Sequence, residues 1–231
     1  MRLPRTIVFD LDGTLVDTGP DLAAALNHAL ATLGRPPLAQ GAVQDMVGSG
    51  ALKLIERGLA ATGEEARELT ASLMPVFLDY YAANIADYSQ PFPGVVAAMD
   101  ALAAEGCTLA ICTNKTERLA RLLIDKLGWT ARFAAILGGD SLAVRKPDPE
   151  HLLATIRAAG GAAADAAFVG DTHFDINAGR AAGVPTIAVG FGFSTEPIDT
   201  LGASAVIHHY DELIPALVLF NRVARTPVAV H

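Results

Sequence analysis

The segment Thr6 to Asp17, TIVFDLDGTLVD, constrains the fold of this chain more than any other. An apolar run, Ile7-Val8-Phe9, leads without alternation into Asp10, Asp12 and the turn pair Gly13-Thr14. Apolar residues on successive positions suit a strand covered on both faces, as in a parallel sheet flanked by helices. Ligands of such sheets bind beyond the carboxyl ends of the strands. Two carboxylates at one strand tip repel each other unless a cation or a shared proton compensates, and a divalent metal is the simplest remedy. A lone Asp-x-Asp would read as a hydrated acidic turn. The longer D-x-D-G-T behind a buried strand points to a site.

After this strand the period changes. Asp21 is placed to cap a helix whose apolar positions Leu22, Ala25, Leu26, Ala29, Leu30 and Leu33 follow helical spacing, stopped by Gly34 and Pro36-Pro37. A second helix is expected over about Ala51 to Ala61, with Leu52, Ile55 and Leu59 on one face. A third should cover about Glu64 to Ala86, interrupted or bent near Pro75. Nothing between Thr18 and Gln90 reads as a strand, so 18–90 is expected to be an all-helical insert and 1–17 with 91–231 the core. QPFPGV, Gln90 to Val95, marks the return. Strand and helix patterns alternate from there, with strands expected at Thr108–Cys112, Ala134–Leu137, Ala167–Val169, Thr186–Val189 and Ala205–Ile207. Helices fall between them, including Asp148 to Ala159, Asp175 to Ala182 and a closing one from Asp211 to about Phe220. This alternation predicts an α/β fold, a doubly wound and mainly parallel sheet with an inserted helical domain. The tail from Asn221 to His231 has no clear period.

The polar residues cluster at strand ends. Thr113-Asn114-Lys115 follows one strand, Arg145-Lys146-Pro147 sits in the loop after another, and Asp171 follows a third, with Asp175 one helical turn on. Parallel strands put these ends on one edge, where they can converge with Asp10 and Asp12. The set suits phosphoryl transfer, which needs an in-line nucleophile, donors and cations for the equatorial oxygens, and an acid for the leaving oxygen. A carboxylate serves as nucleophile through an aspartyl-phosphate, and Mg²⁺ takes oxygen ligands. Thr113, Asn114 and Lys146 offer a hydroxyl, an amide and a compact positive charge. Taken alone, Lys146 reads as a surface cation and Asp175 as a helix N-cap; Lys115 stays ambiguous.

Composition narrows the partners. The net charge is −8, with no basic run, which argues against nucleic acid. An acidic protein that handles an anionic small molecule must build local positive potential from a metal and a few cations. Asp10 and Asp12 break the apolar stretch behind Arg2 and Arg5, so it is no signal peptide, and no apolar run is long enough to span a bilayer. A soluble, cytoplasmic protein is expected, a monomer or a homodimer, with Cys107 and Cys112 reduced and packed. His173, His208 and His209 lack ligand spacing and receive no role.

Asp10-Leu11-Asp12-Gly13-Thr14, Thr113-Asn114, Lys146-Pro147 and Gly170-Asp171-Thr172-His173-Phe174-Asp175 resemble, in type and order, the four motifs of the haloacid dehalogenase superfamily. The helical insert resembles that family's small cap. The resemblance implies that Asp10 is nucleophile and metal ligand, and that Asp12 is general acid/base and gives its backbone carbonyl to Mg²⁺. It implies Asp171 as a direct ligand and Asp175 as holder of a metal-bound water or an outer partner, with Thr113, Asn114 and Lys146 gripping the phosphoryl group. Dehalogenating relatives lack an acid at the Asp12 position, so phosphate chemistry is favoured. Phosphonate-cleaving relatives place a Schiff-base lysine in the cap, and Lys53 is the sole lysine between residues 18 and 90. A phosphomutase, passing the phosphoryl group to a sugar hydroxyl, is the nearest rival, and a catalytically silent binding module the remotest. For substrate choice the candidates are Gly48, Ser49 and Gly50 at a helix start, with Lys53 and Arg57 adding charge or, four apart, forming a solvated face. VGSGALKLIERGL and the late segment from Val189 resemble phosphoglycolate phosphatases, implying a small phosphorylated metabolite such as 2-phosphoglycolate.

Overall fold

The computed structural model describes residues 3–63 and 67–223. β1 (Thr6–Phe9) and a short β2 (Val16–Asp17) precede α1 (Gly19–Ala31), α2 (Gln40–Gln44), α3 (Ala51–Thr62) and α4 (Arg67–Ala83). The chain returns through β3 (Gln90–Pro91), then alternates: α5 (Val95–Ala104), β4 (Thr108–Cys112), α6 (Glu117–Lys126), β5 (Ala135–Leu137), α7 (Pro149–Ala158), β6 (Ala166–Gly170), α8 (His173–Ala182), β7 (Thr186–Val189), β8 (Ala205–Ile207) and α9 (Leu213–Val223). The main sheet runs β5-β4-β1-β6-β7-β8, every pair parallel.

This order places β1 at the switch point. From β1 the chain builds β4 and β5 on one side, then crosses back to lay β6, β7 and β8 on the other. Ligands bind at such reversals, so Asp10 stands where the topology opens a crevice. β1 is fully covered, as its unbroken apolar run requires: Ile7 and Phe9 join one core cluster, Val8 the opposite one with Ala110, Phe168, Leu152 and Ile156. Cys112 is a buried free thiol and Cys107 a half-buried one.

The helices of the insert pack on one another, α1 against α2, α3 and α4. Several expectations for this region change. α4 continues through Pro75 without interruption, because Leu73, Phe77 and Tyr81 bury one face and hold the helix across the missing hydrogen bond. Residues 64–66 of the expected third helix lie outside the described residues. α3 buries Leu54, Ile55 and Leu59, whereas Leu52 is 45% exposed. The insert is not wholly helical at its border: β2 and β3 pair antiparallel, Val16 with Pro91 and Asp17 with Gln90.

Asp21 is not the cap of α1, which starts after Thr18. Its buried carboxylate instead accepts hydrogen bonds from Ser89 N (2.8 Å), Ser89 Oγ (2.6 Å) and Tyr88 N (3.1 Å), tying the exit of the insert to its entrance. Asp21→Ala should cost about 2–4 kcal/mol, since it leaves buried donors unsatisfied. Asp21→Asn, which keeps an acceptor, should cost less. Urea unfolding of the two variants checks the ranking.

In the second half the elements start close to where the sequence puts them. α7 begins after its N-cap Asp148, which accepts from Glu150 N, and α9 extends to Val223. Of the tail, residues 224–231 lie outside the described residues.

Candidate active site

Asp10 follows the last residue of β1, and its N–H continues the ladder to Val169 O at 2.9 Å. Its Oδ1 accepts from Leu11 N (2.7 Å) and lies 2.9 Å from Lys146 Nζ. Burial pushes the Asp10 carboxyl up to about 6; Lys146 pulls against this, and Asp175 adds repulsion. The same Lys146 ammonium donates to Asp175 Oδ1 at 2.7 Å. Burial works against the Lys146 charge, but Asp10 and Asp175 hold its pKa above the usual lysine range. Lys146 is therefore no surface cation; it is 2% exposed and bridges two motifs.

Asp171, past the end of β6, is fully buried. Its Oδ1 accepts from Thr14 Oγ1 (2.9 Å) and its Oδ2 from Phe193 N (2.8 Å). Gly13 and Gly192 make room for it. An added Cβ at Gly13, where φ is +81°, would stand 2.4 Å from Asp171 Oδ2, and one at Gly192 would stand 2.3 Å from Asp171 Cβ. Burial, with repulsion from Asp175 and Asp10, drives the Asp171 carboxyl well above its ordinary range. Asp175 is not the N-cap of α8 but its third residue. The cap is Thr172, whose N–H and Oγ1 donate to Asp175 Oδ2 at 3.0 and 2.8 Å.

Asp10, Asp171 and Asp175 each offer a carboxylate oxygen, and the three atoms lie within 4.8 Å of one another. With Asp12, four carboxylates stand against the ammonium groups of Lys146 and Lys115, so the fully ionised set carries a formal charge of −2. An all-oxygen, buried donor set with that residual charge fits a hard divalent cation.

Asp12 points the other way, towards the insert. Its Oδ1 accepts from Thr18 Oγ1 and from Lys115 Nζ, both at 2.7 Å, and Lys115 also donates to Tyr81 Oη of α4 at 2.8 Å. Thr113 is buried at the tip of β4. The Asn114 amide bridges two carbonyls, Gly48 O at 3.3 Å and Lys146 O at 3.2 Å, and so joins insert to core. Tyr210 Oη donates to Thr14 O and fixes the turn behind Asp12.

A cavity of about 240 Å³ opens in front of Asp10 and Asp12, between the strand tips and the insert. Gly48 and Gly50 line it, while Ser49, Lys53 and Arg57 do not. Lys53 is exposed and paired with Glu56 at 2.6 Å, and Arg57 donates to Met46 O at 2.7 Å, bracing the glycine loop from outside. Both lie on the exposed side of α3, opposite the buried Leu54, Ile55 and Leu59. An exposed Lys53 also leaves the cavity without a cap lysine for Schiff-base chemistry. Among the described residues, the cations that do line it are Lys115 and Arg145. Lys115 had a visible signal, its place beside Thr113-Asn114 at a strand tip. Phe193 N had only the Gly-Phe-Gly-Phe turn, and Tyr81 reads as one more apolar helix position.

His151 supports Lys146 from behind, its Nδ1 accepting from Lys146 N at 3.3 Å. Burial, reinforced by the Lys146 charge, pushes its imidazole down to about 4 from 6.5. The unfolded chain takes up this proton first, so stability present above pH 6.5 is lost as the pH falls through 4. The stability of wild type relative to His151→Gln should shrink by up to about 3 kcal/mol over that window. Denaturant unfolding at several pH values measures it.

Comparison with known proteins agrees with this geometry. Residues 7–189 match the family model described as haloacid dehalogenase-like hydrolase. A phosphoglycolate phosphatase of Caulobacter vibrioides is 46% identical over 206 residues, covering 89% of this chain and 87% of its own length. One of Mesorhizobium japonicum is 46% identical over 211 residues, covering 90% and 92%. The crystal structure of a predicted phosphoglycolate phosphatase from Haemophilus somnus 129PT superposes with a TM-score of 0.86 at 29% identity, over 91% of this chain and 96% of that one. Among the described residues no helix is long and apolar enough to cross a membrane. With the parallel sheet, the buried acidic tip of β1 and a family match spanning most of the sheet, the chain belongs to the haloacid dehalogenase-like hydrolases.

Proposed function

We propose that this protein is a Mg²⁺-dependent phosphomonoesterase that works through an aspartyl-phosphate on Asp10, with 2-phosphoglycolate as its substrate. The observation that carries the reading is the convergence of Asp10, Lys146, Asp171 and Asp175 at the switch point of the sheet, with Asp12 turned to the cavity. The substrate rests on the curated relatives, which bear the name phosphoglycolate phosphatase at 46% identity over most of both chains.

In this reading the phosphoryl group docks against Thr113, Asn114 and Lys146. The Asn114 amide gives up the longer of its two carbonyl contacts to donate to it. The free carboxylate oxygen of Asp10 attacks phosphorus, and the bridging ester oxygen leaves as an alcohol with a proton from Asp12. Asp12 then takes a proton from water, which attacks the phosphorus of the aspartyl-phosphate and releases inorganic phosphate. Asp10 and Asp171, with the backbone carbonyl of Asp12, would hold Mg²⁺, and Asp175 would act from the outer shell while anchoring Lys146. When bound there, the ion supplies positive charge to the phosphoryl oxygens. The helical insert, 18–90, acts as a cap on the core formed by 1–17 and 91–231, excluding bulk water during the first step. Two unpaired cysteines accord with work in the cytoplasm.

Hydrolysis of a panel with and without Mg²⁺ tests the reading: 2-phosphoglycolate, sugar phosphates, nucleotides, pyridoxal phosphate and pyrophosphate. The expected result is Mg²⁺-dependent phosphate release, fastest from 2-phosphoglycolate. A stable sugar-phosphate isomer without released phosphate would identify a mutase instead.

A further inference from the structure

We infer that Lys115 is the residue that recognises the substrate's carboxylate, exchanging its bond to Asp12 for one to a carboxylate two bonds from the bridging ester oxygen. The inference rests on the phosphoglycolate reading above and adds to it the residue that selects the acid. The walls of the cavity are largely apolar, with Leu22, Leu54, Met74, Phe77 and Leu78 among them. An anionic tail buried there without a partner would be expelled. Of the two cations that line the cavity among the described residues, Arg145 is exposed at the rim, while Lys115 is 8% exposed within the wall.

The position of Lys115 relative to Asp12 makes the assignment. To protonate the leaving oxygen, Asp12 must stand about 2.6–3.2 Å from it. In 2-phosphoglycolate the carboxylate carbon lies two covalent bonds from that oxygen, roughly 2.4 Å away. Lys115 Nζ sits 2.7 Å from Asp12 Oδ1, so a carboxylate delivered beside Asp12 arrives within reach of the same ammonium. Tyr81 Oη, also an acceptor of Lys115 at 2.8 Å, keeps the ammonium at that spot when Asp12 is released. An ester with a neutral tail offers no replacement for the Asp12 contact and leaves Lys115 where it is. The chemistry recognised is therefore a phosphate ester of a short 2-hydroxy acid, with the carboxylate carbon bonded directly to the ester carbon.

The test compares kcat/KM, with Mg²⁺, for 2-phosphoglycolate and for ethyl phosphate in wild type, Lys115→Met, Lys115→Gln and Arg145→Met. Calorimetric binding of 3-phosphonopropionate against propylphosphonate gives the same comparison without turnover. Wild type should prefer the carboxylated ester by about 100-fold. In Lys115→Met and Lys115→Gln the preference should fall below about 5-fold, and the binding advantage of 3-phosphonopropionate should fall with it. Equal losses on both esters, with preference and binding advantage intact, would mean that Lys115 only positions Asp12 and would overturn the assignment. So would a preference lost in Arg145→Met and kept in the Lys115 variants. Should wild type itself show no preference for the carboxylated ester, the substrate reading fails together with this inference. Should wild type show it and the Lys115 variants keep it, only the inference fails.

Discussion

Asp10→Asn is expected to lose about 10⁴-fold or more in kcat for 2-phosphoglycolate, the scale on which removal of a nucleophile acts, while the fold survives and gains stability. The two halves of that expectation have one cause. At the tip of β1 the carboxylate is buried beside Asp175 and Asp12, and its pKa in the folded chain stands at about 6 against an ordinary 3.8. A carboxyl raised on folding weakens the folded state wherever it must be ionised, so at pH 7 without metal the charge at position 10 opposes folding. The isosteric amide removes the charge, leaves Lys146 its bond to Asp175, and should raise unfolding stability in chelator by about 1–3 kcal/mol. Kinetics and urea unfolding on the same preparation read both effects. A variant that kept activity would remove Asp10 from the mechanism, and one that lost activity with a collapsed fold would leave the structural account wrong.

Removal of the metal should produce the second large effect. Wild type in excess chelator is expected to fall to about a thousandth of its Mg²⁺-saturated activity or less. Its thermal stability should rise on adding Mg²⁺, by about 2.7 kcal/mol when the ion is at 100 times its Kd. Asp171→Asn should abolish this Mg²⁺ response. The amide can replace the carboxylate locally: its oxygen accepts from Phe193 N, and its NH₂ donates to Thr14 Oγ1, a hydroxyl free to turn round. The variant should therefore fold, and without metal it should be at least as stable as wild type, because burial and the neighbouring Asp175 and Asp10 carboxylates oppose the Asp171 charge. Activity and thermal unfolding across a Mg²⁺ titration separate these outcomes from simple misfolding.

These positions were readable in the sequence because each lies at the end of an apolar run, and parallel strands deliver all such ends to one edge. That logic holds for Asp10, Asp12, Thr113 and Asp171, whereas Lys146 comes from within the loop after β5. It gives less where a residue's partner comes from far along the chain. Asp21 reads as a cap from its neighbours, yet its bonds go to residues 67 and 68 positions away. The place of Lys115 beside a strand tip was visible, but its partners were not: they are Asp12 on one side and Tyr81, of a separate helix, on the other. Lys53 and Arg57 invited a substrate role because they follow a glycine loop. Their exposure follows from which side of α3 is buried, and assigning Leu52 rather than Leu54 to the apolar face obscured it. The pairing of β2 with β3 involves two residues on each side, too few to leave a period. The helical insert as a whole was legible, its three longer helices carrying about three to five turns of pattern each; its charged surface was not.

The central claim is a covalent phosphoryl group on Asp10, and borohydride reduction after an acid quench tests it most directly. Asp12→Asn, given p-nitrophenyl phosphate and Mg²⁺, has a leaving group that departs without an acid but lacks the base for hydrolysis, so the acyl-phosphate should accumulate. Reduction of that acyl-phosphate converts the aspartate to homoserine. The account predicts homoserine at position 10, in amounts that match the p-nitrophenol released in the first turnover. Release of p-nitrophenol with Asp10 unmodified, or homoserine at another aspartate, would contradict it.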